Sequence, residues 1–323
     1  MKIISMKIRC ALGFAVTTAV LLLAAACGQS GTPAEGAAQP GQLKIVTAFY
    51  PFQFVAARVA GEHAVVTSLT APGAEPHDLE LTPKQVASVT TADLVVYEKS
   101  FQAAVDEAVD QSGNGDVLDT ATVVPLVPLE EGDGHDHTAA AAGEGASGQS
   151  GLDPHVWLDP TNMADITGAV ADRLTQIDPE HATDYRANAQ KLVGELSSLD
   201  TSYRTGLATC QRSEFITTHA AFGYLARAYH LTQIGINGLS PDSEPSPARI
   251  ADVQKIAKEH EVTTIFYETL VSPAVAQSIA ADLGLKTDVL DPIEGITDAS
   301  RGTDYLSVMT SNLTALRTAN GCR

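Results

Sequence analysis

Positive charge is scarce in this chain of 323 residues, where 20 Lys+Arg stand against 39 Asp+Glu for a formal net charge of −19 at pH 7. A nucleic-acid binder needs a basic stripe to neutralise phosphates, so the balance argues against that class. Long apolar runs are also missing. The longest, residues 11–26 (ALGFAVTTAVLLLAAA), has sixteen residues, short for a spanning helix but suited to a secretory h-region. The motifs of several enzyme classes are absent too: there is no GxxxxGK[ST] phosphate loop, no HExxH helix and no Ser-centred nucleophile motif. Any ATP hydrolysis linked to this chain therefore belongs to another protein. What remains is length enough for about two domains of roughly 150 residues.

The N-terminus carries Lys2, Lys7 and Arg9 but no acid, and after the apolar run comes Cys27 followed by Gly28. This reads as a signal peptide over 1–26. The Leu-Ala-Ala-Ala-Cys end resembles a bacterial lipobox, which implies that Cys27 is lipidated as the first mature residue; Ala24 occupies the place where lipoboxes favour Leu, with Leu23 one position earlier. A cleaved signal with an incidental cysteine and a short membrane anchor are the alternatives. Removing the segment leaves 17 basic against 39 acidic residues, a net of −22. Residues 27–42, rich in Gly, Pro and Gln, have no periodic apolar face and are expected to form a flexible tether. Export permits disulfides. With Cys10 in the signal and Cys27 reserved for lipid, Cys210 and Cys322 are the only candidate internal pair, free buried thiols being the alternative.

From residue 43 onward short apolar strands alternate with amphipathic segments. Strands are expected at 43–49, 64–69, 93–97 and 123–129, with helices at 52–60, 82–90 and 101–109 between them. A second series places strands at 215–218, 231–235, 263–267 and 287–290, and helices at 220–229, 247–260, 272–282 and 303–319. The alternation predicts an α/β fold of two lobes, each a mostly parallel sheet flanked by helices, over 43–178 and 208–323. Between them, 179–207 sets Tyr185, Ala189, Leu192, Leu196, Leu199, Tyr203 and Leu207 at intervals of three or four. That spacing is the apolar stripe of a long helix joining the lobes, or else of a long surface helix within one of them. The Gly-rich stretch 130–151 interrupts the order as a loop. Its His135, His137, Asp133 and Asp136 form either an auxiliary metal-collecting group or part of an acidic solvated insertion.

Four segments at expected strand exits or loops carry donor side chains: His77 in APGAEPHDLELTP, His155 in GLDPHVWLDP, His219 in FITTHAAFGYLA and Asp291 in DVLDPIEG. Strand exits are where α/β architectures commonly place their sites. Three neutral imidazoles and a carboxylate supply a four- or distorted five-coordinate site that favours zinc over an all-oxygen calcium or magnesium site. Their spacing is far too long for a zinc finger, so folding must bring them together.

With PHDLELTP, DPHVWLDP, TTHAAFGYLA, SPDSEPSP and the LDP segment near 291, the chain resembles the metal-binding lipoproteins that serve ABC importers of zinc or manganese, the cluster A-I solute-binding proteins. The resemblance runs from the first strand to the last helix. It implies two lobes joined by one long rigid helix, a metal in the cleft, and ligands His77, His155, His219 and Asp291. His219 stands where manganese-binding relatives often have Glu, and the 130–137 loop resembles the variable loop of zinc binders, so Zn2+ is the expected cargo with Mn2+ as the alternative. The implied partners are an ABC permease with a separate ATPase subunit, and the membrane through the N-terminal lipid; the protein is expected to be monomeric. Asp153, Asp159 and Glu75 are candidates for orienting ligands, Trp157 for excluding water or filling core, and Glu244 and Glu268 for approaching the cleft without ligating. A secreted zinc hydrolase and a metal-dependent surface adhesin are the readings from other classes.

Overall fold

In the computed structural model of the chain, the described residues are 41–129 and 151–323. The signal segment, Cys27 and the loop carrying Asp133, His135, Asp136 and His137 lie outside them. β-Branched runs and capped amphipathic segments build the first lobe from β1 (Leu43–Thr47), α1 (Tyr50–Ala60), β2 (Ala64–Ser68), α2 (Pro83–Thr91), β3 (Leu94–Tyr97), α3 (Ala103–Ser112) and β4 (Val117–Asp119). The strands are all parallel in the order β2-β1-β3-β4, with Ile45 paired to Val66 on one side and Leu94 on the other. Helices cover both faces of such a sheet, which explains why β3 (LVVY) is buried at every position. A two-residue antiparallel pair, β5 (Val127–Pro128) and β6 (Leu152–Asp153), follows.

The second lobe repeats the plan. Here β7 (Glu214–Thr217), α6 (Gly223–Ala228), β8 (Thr232–Gly235), α7 (Pro247–Glu259), β9 (Thr264–Tyr267), α8 (Ala274–Leu283), β10 (Lys286–Val289) and α9 (Tyr305–Asn320) form a parallel sheet in the order β10-β9-β7-β8. Renumbered within its lobe, each sheet has the same 2-1-3-4 order, so each reverses its winding direction beside its first strand.

Two helices join the lobes, α4 (Pro160–Ile177) and α5 (Ala182–Leu207). The seven residues of the apolar stripe are the seven buried residues of α5. At about 1.5 Å per residue its 26 residues extend about 39 Å. The N-terminal half packs on the first lobe, where Asn188 Nδ2 donates to Val59 O at 3.1 Å and Arg58 pairs with Glu195. The C-terminal half meets the second lobe, where Tyr203 donates its hydroxyl to Met309 O at 2.7 Å.

Three local expectations change. The fourth strand of the first sheet is Val117–Asp119 rather than 123–129; Pro125 and Pro128 deprive the latter segment of ladder donors, leaving only β5. Helix α4 was not expected at all, although Asp159 caps it by accepting the Thr161 N–H and Pro160 opens it. The long helix starts at Ala182, after a 3-10 turn over Pro179–His181. Cys210 and Cys322 form a disulfide that ties the C-terminal tail to the segment after α5. Among the described residues no helix is long and apolar enough to cross a membrane.

Candidate metal centre

His77 lies in the Pro-Gly loop between β2 and α2, a position set by neighbours on both sides. The Glu75 carboxylate accepts the His77 backbone N–H at 3.1 Å, and Gln102 Nε2 donates to Pro76 O at 2.9 Å. Phe101 meets the imidazole edge to face at 4.7 Å between centroids. His155 follows β6 and Pro154, just ahead of the 3-10 turn Val156–Leu158. Asp153 Oδ1 accepts both the His155 backbone N–H at 3.0 Å and its Nδ1–H at 2.8 Å. His219 stands just beyond the end of β7, and its Nδ1–H donates to Glu268 Oε1 at 2.8 Å. Glu268 is one residue past the end of β9 and also accepts from Thr218 Oγ1 at 2.8 Å.

A carboxylate bound at Nδ1 turns the Nε2 of the same ring inward. In this protein the inward nitrogens meet Glu294, in the loop between β10 and α9. Glu294 Oε1 is 3.2 Å from His77 Nε2, 3.4 Å from His155 Nε2 and 3.5 Å from His219 Nε2. All four residues are buried, and their donor atoms lie within 4.8 Å of one another. Two donors come from each lobe, so the centre sits between them at the C-terminal ends of the strands.

Asp291 does not join this cluster, which corrects the expected ligand set. Its Oδ1 accepts the Ile293 N–H at 2.8 Å and its Oδ2 accepts from Thr269 Oγ1 at 3.2 Å, so it shapes the loop that Glu294 occupies. LDPIEG offers two carboxylates, and the one that reaches the cluster is the second. An available signal was the Asp-Pro pair itself, since a short acidic side chain before a turn commonly binds backbone N–H two residues on. Glu268, expected to approach the cleft without ligating, is the hydrogen-bond partner of His219. Glu244 is exposed in the loop before α7, outside the cluster. Asp159 caps α4, and Trp157 is fully buried beside the His155 ring at 5.1 Å between centroids.

The electrostatics of the group are mutual. Burial opposes ionisation of Glu294, yet the charge at His77 and the close approach of all three imidazoles outweigh it and hold the carboxyl well below the usual range. Burial likewise opposes charging His219, but Glu268 and then Glu294 push it up to about 10. For His77, which has no carboxylate behind Nδ1, burial wins and lowers its pKa. Burial and then the Glu294 charge push Glu75, at the edge of the centre, up to about 8.

Nε2 of His155 and His219 and Oε2 of Glu294 are buried without a hydrogen-bond partner. Buried polar atoms of that kind call for a partner, and a divalent cation bound by three imidazoles and a carboxylate supplies one. Two parallel-sheet lobes, a long joining helix and a buried His3Glu centre between the lobes define a metal-binding solute carrier. Residues 45–319 match ZnuA, the zinc-uptake complex component A, periplasmic, and the chain belongs to that family. Family membership places it in an ABC-transporter system as a non-catalytic binding protein. It is similar to the high-affinity zinc uptake system protein ZnuA of Bacillus subtilis, with 36% identity over 308 residues, 94% of this chain and 96% of that one. The zinc-binding lipoprotein AdcA of Streptococcus pneumoniae strain R6 is 38% identical over 293 residues, 86% of this chain, which spans 56% of the length of AdcA. The solved Zn(II)-bound ZnuA-like domain of S. pneumoniae AdcA superposes with a TM-score of 0.71 at 34% identity, covering 87% of this chain and 99% of the domain.

Proposed function

We propose that this chain captures Zn2+ outside the cytoplasmic membrane and delivers it to an ABC importer, with His77, His155, His219 and Glu294 as the four ligands. The observation that carries the proposal is the convergence of three Nε2 atoms on one Glu294 oxygen, with two of the rings held in register by Asp153 and Glu268. Three imidazoles and one carboxylate suit zinc, whereas manganese and the alkaline-earth ions favour a larger oxygen share. Lipidation at Cys27 would hold the monomeric protein at the extracytoplasmic face, with the 27–42 tether giving it reach to a permease. A separate ATPase subunit powers transport, since this chain has no phosphate loop of its own.

Competitive titration with Zn2+ and Mn2+ against a calibrated chelator tests the proposal. The expected result is one tightly held zinc per chain, with manganese bound far more weakly. Absence of a tight zinc, or tighter manganese, overturns it.

A further inference from the structure

Glu294 sits in a loop whose backbone is forced. Ile293, fully buried, has φ of 60°, the left-handed region that a β-branched residue rarely enters. Such a conformation persists only where the surroundings over-determine it. Within the second lobe two residues do so. Asp291 Oδ1 accepts the Ile293 N–H at 2.8 Å, and the Asn312 amide in α9 brackets Asp291, donating to its carbonyl at 2.7 Å and accepting its N–H at 2.9 Å.

The third restraint crosses between lobes. Trp157 Nε1–H donates to Pro292 O at 2.7 Å. The Trp157 carbonyl in turn accepts the Tyr305 hydroxyl at 2.6 Å, at the start of α9. Its indole is wedged against Phe49 and Phe101, with centroids at 4.7 and 5.5 Å. One residue, two positions after His155, thus grips the loop two positions before Glu294.

We propose that Trp157 is a positioning residue for zinc capture: its indole N–H locks the strained Pro292–Ile293 turn so that the Glu294 carboxylate of one lobe is delivered onto the histidine cluster, with Asp291 as the clamp inside the loop. The Trp157 indole lies beside the His155 ring, but its N–H bonds no ligand side chain and acts through Glu294. The inference rests on Glu294 being a zinc ligand, as assigned above.

Zinc competition titrations on five variants separate the two claims. Trp157→Phe keeps an apolar ring and removes the donor, and should weaken zinc binding by about 10- to 100-fold, the usual range for a group that orients a ligand. Because its effect passes through Glu294, the double variant Trp157→Phe/Glu294→Gln should bind no more weakly than Glu294→Gln alone. Asp291→Asn retains the acceptor for the Ile293 N–H and should bind nearly as wild type, whereas Asp291→Ala should lose affinity; this pair keeps the test decisive if Trp157→Phe folds poorly. Wild-type affinity in folded Trp157→Phe, a fully additive double variant, or Asp291→Asn as weak as Asp291→Ala would overturn the inference. Equal zinc affinity in wild type and Glu294→Gln would instead overturn the ligand assignment beneath it.

Discussion

Glu294 Oε1 lies within 3.2 to 3.5 Å of three imidazole nitrogens, and one acid among three bases gives zinc capture a protonic consequence. Glu268 and Glu294 outweigh burial and push His219 up to about 10, so at neutral pH that ring carries a proton in the metal-free protein. Zinc needs the neutral imidazole, hence its binding expels the proton and tightens as pH rises. Titration calorimetry at pH 7.5 in buffers of different ionisation enthalpy should therefore show proton release on zinc binding, and less of it in Glu268→Gln, which removes the charge but keeps an acceptor. Equal release in the two proteins would contradict this account of His219. The three histidines were legible because each follows a recognisable strand or turn signature within a family motif. Glu294 was not, since choosing between Asp291 and Glu294 in LDPIEG depends on a left-handed isoleucine that sequence rules disfavour.

Helix α5 was readable from periodicity because its stripe is uninterrupted over more than six turns and binds both lobes. Leu196, fully buried near its middle, packs where the helix passes from one lobe towards the other. Leu196→Ala should cost about 2–5 kcal/mol of stability by leaving a cavity. Chemical denaturation of the metal-free protein measures it, and a loss under about 1 kcal/mol would mean that the buried stripe of α5 does not hold the lobes together. The parallel strands were legible for a similar reason: runs such as LVVY, buried on both faces, announce themselves. Strand β4 did not, because three residues carry no period and their place is set by pairing Leu118 with Val96. The proline-rich VVPLVPL run drew the assignment instead, since its hydrophobicity resembles a strand although its donors do not. Helix α4 bore its signals in Asp159, Pro160 and a Met163–Ile166–Val170–Leu174 stripe, and went unread beside the longer helix that follows it.

At the scale of the molecule, the acidic excess that first excluded nucleic acid says little about the cargo, and the placement of a few acids says much. Asp153, Glu268 and Glu294 are buried carboxylates beside three histidines, concentrating negative charge where one divalent cation would sit. The lobes share a topology and supply two donors each, so zinc binding joins them at the strand ends while α4 and α5 join them along their length. Anomalous diffraction at the zinc edge, from crystals of the zinc-loaded protein, locates the bound ion and its ligands. One strong peak per chain is expected at about 2.0–2.2 Å from Nε2 of His77, His155 and His219 and from a Glu294 oxygen, with Asp291 still holding the Ile293 N–H. A principal peak elsewhere in the chain, or one bound by Asp291 in place of Glu294, would contradict it.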